Sequence, residues 1–161
     1  MTISKKMQDA FNAQIEKELW SSNLYLEMAF WFRSNGWKGF ATWMFRQSEE
    51  EREHALEMAN YVLSRGGKAN VTEIKAVPTD FKNPQEVFEM TYKHEQEVTN
   101  LINKLADVAD EEKDRASANL LSKFIDEQVE EESSVKEFLD FFVNNQGHGI
   151  GMLDHRLGKQ Q

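Results

Sequence analysis

Helix breakers are scarce in this chain, and the few it has are bunched. Its two prolines, Pro78 and Pro84, share one short stretch, and its eight glycines sit at Gly36, Gly39, Gly66, Gly67, Gly147, Gly149, Gly151 and Gly158. Residues 1–35, 40–65 and 85–146 therefore hold neither residue type. An all-β chain needs a turn every 8–12 residues and cannot be assembled from such windows, whereas long helices can. Apolar residues make up 40% of 161 positions, enough to bury a core in one domain.

Residues 5–34 carry Phe11, Ile15, Leu19, Ser22, Leu26, Ala29 and Phe30 at helical spacing, and Asn35-Gly36 reads as a stop. A second helix is expected over 39–65, closed by Gly66-Gly67, each helix being roughly 40 Å long. Residues 66–83 are polar, with Pro78 and β-branched Val71, Thr72, Ile74 and Val77, and read as a loop that travels the length of a bundle. Asn83-Pro84 has the form of a cap followed by proline in the first helical turn. The window 85–146 would be about 93 Å long as one helix, so it must fold back. The acidic run Asp107–Asp114 is the expected break, giving helices over 84–109 and 114–145. A short segment over 150–157 is too short to stand alone and must dock. Helix, short turn, helix, long crossover, helix, short turn, helix is the order of an all-α, ferritin-like four-helix bundle with a short fifth helix. The single domain spans 1–161.

Charge and cysteine usage narrow the function. The chain has 28 acids against 19 Lys and Arg, a formal charge of −9. That argues against nucleic acid and anionic membranes as partners and permits attraction for cations. No Cys is present, which excludes disulfides, thiolate metal sites and Cys nucleophiles and suits the cytoplasm. No secretory signal and no membrane-spanning run is expected.

Carboxylates occupy core positions. Stepping the second helix by three or four gives Phe40, Met44, Gln47, Glu51, His54, Met58 and Tyr61; the fourth gives Leu121, Phe124, Gln128, Glu131, Val135, Phe138 and Phe142. Glu18 lies seven residues from Phe11 and from Tyr25, and Glu95 seven from Phe88 and from Ile102. Each helix thus puts an acid near mid-length on its apolar face. Buried carboxylates cost several kcal/mol each unless neutralised, and no Lys or Arg shares these stripes. Glu18, Glu51, Glu95 and Glu131 sum to −4, the charge of two divalent cations. The spacing agrees: Glu51 and His54 form Glu-x-x-His, whose i,i+3 partners share a face. Glu18 precedes Glu51 by 33 residues, and Glu95 precedes Gln128 by the same number. The turn at 35–39 should therefore recur near 112–116, with two hairpins related by a pseudo-twofold axis. Carboxylates with one imidazole suit iron or manganese, and a bridging Glu51 would hold two metals about 3.5–4 Å apart.

The motifs Glu16-Lys-Glu18-Leu-Trp-Ser-Ser22-Asn-Leu-Tyr25, Glu49-Glu50-Glu51-Arg-Glu-His54, Thr91-Tyr-Lys-His-Glu95-Gln96 and Glu127-Gln128-Val-Glu130-Glu131-Glu132 make the chain resemble bacterial non-haem ferritins over essentially its whole length. The resemblance implies iron storage: a ferroxidase centre that oxidises Fe(II) with O2 or H2O2, and a hollow homo-oligomeric shell of 24 subunits that keeps the ferric mineral. It implies one iron on Glu18, Glu51 and His54 and a second on Glu51, Glu95 and Glu131 with Gln128 nearby. A third iron site would use Glu50, Glu127 and Glu130, with Glu131 beside them, and Tyr25 matches the tyrosine beside the centre. Haem-binding relatives carry a second Glu-x-x-His and a Met after the bridging Glu. Here those positions read Gln128-x-x-Glu131 and Arg52, so no haem is expected. Gln128, a weaker donor than carboxylate, is expected to hydrogen-bond oxygen at the second site. His94, adjacent to Glu95 and so about 100° away on the helix, is expected to be structural.

Overall fold

A computed structural model describes residues 1–159. It consists of five helices: α1 (Lys5–Ser34), α2 (Lys38–Ser64), α3 (Pro84–Glu111), α4 (Arg115–Asn144) and α5 (Ile150–Gly158). The first four form a bundle of two hairpins, α1 with α2 and α3 with α4, joined by the long crossover. Among the described residues no helix is long and apolar enough to cross a membrane.

Helix starts follow from local side chains. Ser4 Oγ accepts from the Met7 amide at 3.1 Å, Asn83 Oδ1 from that of Glu86 at 2.9 Å, and Asp114 Oδ1 from that of Ser117 at 3.1 Å. Each satisfies an amide that the first helical turn leaves without a partner. The α1–α2 turn uses Gly36 at φ 82°, where a side chain is disfavoured. The α3–α4 turn has no glycine; Lys113 adopts φ 52° instead. α3 runs two residues beyond 109, because the left-handed residue that reverses the chain is Lys113 rather than a residue in the middle of the acidic run. The turn falls at 112–114, inside the window that the repeated spacing indicates.

The crossover is fastened at its start to α1. Gln8 Oε1 accepts from the Lys68 amide at 3.0 Å, Asn12 Oδ1 from the Asn70 amide at 2.9 Å, and Asn12 Nδ2 donates to Lys68 O at 2.8 Å. α5 docks on the start of α2 through buried Leu153 and Leu157. The backbones meet so closely that a Cβ on Gly39 would lie 1.6 Å from Asp154 O. Asp154 Oδ1 accepts from the Phe40 amide at 2.8 Å, supplying the cap that Trp37 does not.

The buried side chains fall into two apolar clusters. One surrounds Tyr25, Met28, Phe32, Phe40, Met44, Phe88 and Phe142; the other surrounds Met7, Phe11, Met58, Ile102, Leu121 and Phe124. Between them, in sequence register on all four helices, lies a polar layer. One expectation for α1 fails: Phe30 is 50% exposed. The inward line runs through Tyr25, Met28, Ala29 and Phe32, and Phe30, one residue past Ala29, is carried about 100° off it.

Candidate metal centre

The polar layer brings together residues from every helix of the bundle. Glu18 (α1), Glu51 (α2) and Glu95 (α3) are each 1% exposed, and Gln128 (α4) is 4% exposed. His54, Glu50, Glu127 and Glu131 are partly buried, whereas Glu130 is exposed and, among the described residues, makes no hydrogen bond or ion pair.

Glu18, Glu51 and His54 form a candidate metal triad: one ligand atom from each lies within 4.8 Å of the others. His54 Nδ1 faces the carboxylates, 3.5 Å from Glu51 Oε2 and 4.0 Å from Glu18 Oε2. Its Nε2 lies 3.0 Å from Glu127 Oε2, although that oxygen accepts no aligned hydrogen bond. A carboxylate behind the second ring nitrogen favours the tautomer with Nδ1 free for a metal.

The most telling observation concerns oxygens without partners. Glu18 Oε2, both carboxylate oxygens of Glu51 and Glu127 Oε2 are buried and accept no hydrogen bond. Such atoms are rare in native interiors and call for an explanation. For the three oxygens of Glu18 and Glu51 a cation supplies it, since with the imidazole Nδ1 they are a hard-to-borderline donor set suited to iron or manganese; Glu127 Oε2 lies on the other side of the ring, at Nε2. The acidities agree. Burial, then the charge of Glu51, pushes Glu18 well above the usual carboxylate range. Burial raises Glu51 to about 8, and burial with the charges of Glu95 and Glu50 raises Glu131 to about 8. These groups are poorly accommodated as anions without positive charge beside them.

The second half of the layer is held differently. Tyr25 donates its hydroxyl to Glu95 Oε1, and Gln128 Nε2 donates to Glu95 Oε2 at 3.1 Å. Burial raises Glu95 above the usual range while these two bonds pull it back. Burial, then the charge of Glu95, raises the Tyr25 phenol well above its usual value, so it stays a donor. Glu18, by contrast, receives among the described residues only Gln14 Nε2, at 3.1 Å on Oε1. The Gln128 amide group has its protons committed to α3: besides Glu95 Oε2 it approaches Thr99 Oγ1 at 3.2 Å and Glu95 O at 3.3 Å. In this arrangement both N–H groups of the Gln128 amide face acceptors of α3.

Sequence reasoning missed Gln14, Thr99 and Glu132. Each lies four residues from a predicted site residue, the spacing of helical neighbours, and Thr99 and Glu132 repeat the 33-residue interval. His94 packs between Trp20 and Tyr25, with ring centroids 5.2 and 5.9 Å away, and its Nε2 lies 2.7 Å from Ser21 Oγ. Burial, with Lys17, lowers its pKa to about 4, so it is neutral packing.

A bundle with one long crossover and a mid-bundle carboxylate–histidine layer defines the ferritin-like class. The Ferritin family description, a ferritin-like domain, matches residues 8–143. A bacterial non-heme ferritin of Bacteroides fragilis is 46% identical over 98% of this chain and 99% of its own. A probable bacterial non-heme ferritin-like protein of Haemophilus influenzae is 34% identical over 97% and 96%. Among solved structures, an open pore ferritin from the archaeon Archaeoglobus fulgidus superposes with a TM-score of 0.96 at 38% identity, over 99% of this chain and 98% of that one. The chain belongs to the bacterial non-haem ferritin family.

Proposed function

We propose that the protein is a ferritin subunit that binds Fe(II) in pairs, oxidises it with O2 or H2O2, and passes Fe(III) to a mineral kept inside a cytoplasmic shell of 24 copies. The single observation that carries this reading is the set of buried, partnerless oxygens of Glu18 and Glu51 facing His54 Nδ1. Such oxygens are costly in the empty protein and become useful only around a cation.

In this reading Glu18, Glu51 and His54 hold one iron. Glu51 bridges to a second, which Glu95 and Glu131 hold with the Gln128 carbonyl. Glu50, Glu127 and Glu130, with Glu131, offer a third position towards the surface. The two irons each give one electron; O2 takes both with two protons to give H2O2, or H2O2 takes both with two protons to give two waters. The chain's own part is geometric and electrostatic. Unpartnered oxygens make the first site ready to bind, whereas Glu95 must exchange bonds from Tyr25 and Gln128 for a metal. The first site therefore fills before the second. Tyr25 keeps its proton and holds Glu95 Oε1 by donating a hydrogen bond to it. The apolar clusters on either side keep bulk water out.

Size-exclusion chromatography of the protein during aerobic Fe(II) loading tests the reading. It predicts a particle near 450 kDa, 24 copies of the 18.8 kDa chain, that turns amber and retains hundreds of irons per particle. A small oligomer that keeps no ferric iron would refute it.

A further inference from the structure

Thr99 lies one turn C-terminal to Glu95 on α3, and Glu132 one turn C-terminal to Gln128 on α4; because the two helices run antiparallel, Thr99 stands beside Gln128 and meets Glu132 on the diagonal. Thr99 Oγ1 is 2.5 Å from Glu132 Oε2 and 3.0 Å from Glu95 O, and both of these atoms only accept. The single hydroxyl proton must go to one of them. Oγ1 then presents lone pairs alone to Gln128 Nε2, 3.2 Å away. Hydrogen-bond direction is thereby set along the whole chain: Glu132 or the Glu95 carbonyl accepts from Thr99, which accepts from Gln128, which also donates to Glu95.

The consequence lies at Gln128. Its NH2 is kept against α3, and the carbonyl oxygen is the only atom it has left to offer a metal. The Glu95 carboxylate alone cannot enforce this once it turns to a cation, because its Oε2 is then engaged elsewhere. The first hairpin has no equivalent pair among the described residues. Subtracting the 77-residue offset from Thr99 and Glu132 gives Ser22 and Ala55, and Ser22 instead pairs with Ser48 across α1 and α2.

We propose that Thr99, anchored by Glu132, is a positioning residue that fixes the Gln128 amide with its carbonyl available, and so sets the affinity of the second metal position without touching the first. The inference rests on the two-metal reading above. It is tested by calorimetric titration of the metal-stripped full-length protein with Zn²⁺ alone, a redox-inert probe. Wild type should bind two ions per chain in distinguishable steps. Thr99→Val, which keeps the shape and removes the hydroxyl, should weaken the second step about ten-fold or more, as lost outer-shell bonds do, and leave the first within about two-fold. Thr99→Ser, which restores the hydroxyl, should recover the wild-type second step. In a Gln128→Ala background Thr99→Val should have no further effect, because its route to the metal is gone. An unchanged second step in Thr99→Val, equal weakening of both steps, or a full effect in the Gln128→Ala background would each overturn the inference while leaving the site intact. Wild type binding fewer than two ions would overturn the two-metal reading, and this inference with it.

Discussion

Replacing Glu51 with glutamine isolates what the buried carboxylates cost the empty protein. Glu51 is 1% exposed, with neither oxygen partnered, and its folded pKa rises from 4.5 to about 8. A raised carboxyl pKa means that the folded state holds a proton which the unfolded state has released. Stability is therefore full below pH 4.5 and falls as pH rises to about 8. At about 1.4 kcal/mol per pH unit, that window corresponds to a loss of about 5 kcal/mol once the group is fully ionised. Glutamine has nearly the same shape and no charge to lose. In metal-stripped protein Glu51→Gln should match wild type within about 1 kcal/mol at pH 5 and exceed it by several kcal/mol at pH 9. Chemical denaturation at the two pH values measures this. Saturating Zn²⁺ should cancel most of the difference at pH 9 and put wild type ahead nearer neutral pH, since a ligand at 1,000 times its Kd stabilises only the binding-competent protein, by about 4 kcal/mol. A Glu51→Gln advantage that does not grow with pH, or a variant weaker at both values, would refute the reasoning.

Other perturbations separate chemistry from architecture. Glu51→Ala removes the proposed bridge, and stopped-flow absorbance should show its Fe(II) oxidation falling to the buffer rate. Zn²⁺ binding at pH 6.5 should release protons from Glu51 and Glu131, both raised to about 8, and release fewer at pH 9; calorimetry in buffers of different ionisation enthalpy reads this, and equal release would contradict it. At the far end of the bundle, Arg65 donates to both carboxylate oxygens of Asp114 at 2.8 Å and to Tyr61 Oη at 2.6 Å. Burial opposes the ionisation of Asp114, but its bonds from Arg65 and Ser117 outweigh it and hold the carboxyl below its usual 3.8. Asp114→Ala should cost about 1–3 kcal/mol at neutral pH by denaturant titration, the sum of a lost N-cap and a partly exposed ion pair, with the difference shrinking as pH falls through the native Asp114 pKa. Gly39→Ala should displace α5, exposing 150–158 to limited proteolysis while Zn²⁺ binding at the centre is unchanged.

Much of the layout was legible because helices this long reveal their inward face repeatedly. The stripe from Phe40 to Tyr61 needs seven residues to agree, and Glu51 and His54 stand out against it. The 33-residue interval relates the two hairpins in the sequence alone. Phe30 misled because one apolar residue at the edge of a stripe fits two registers equally well. The α3–α4 turn was located by acidic caps, but its pivot at Lys113 has no sequence signature, since left-handed lysine is uncommon. The donors around the carboxylates were hidden for a different reason. Gln14, Thr99 and Glu132 are ordinary helix residues, and only the packing of α1 against the site and of α3 against α4 gives them direction. The Gln128 amide shows the same limit, since its residue type permits both donation and acceptance and its neighbours decide between them.

In the proposed function, acids from all four helices meet at mid-bundle to hold two irons where they are oxidised. Stopped-flow titration of metal-stripped protein with Fe(II) in air tests it most directly. A fast oxidation phase should grow linearly and break at two irons per chain in wild type, and be missing in Glu51→Ala. A wild type with no phase faster than buffer, or a break at two irons that survives in Glu51→Ala, would contradict the account.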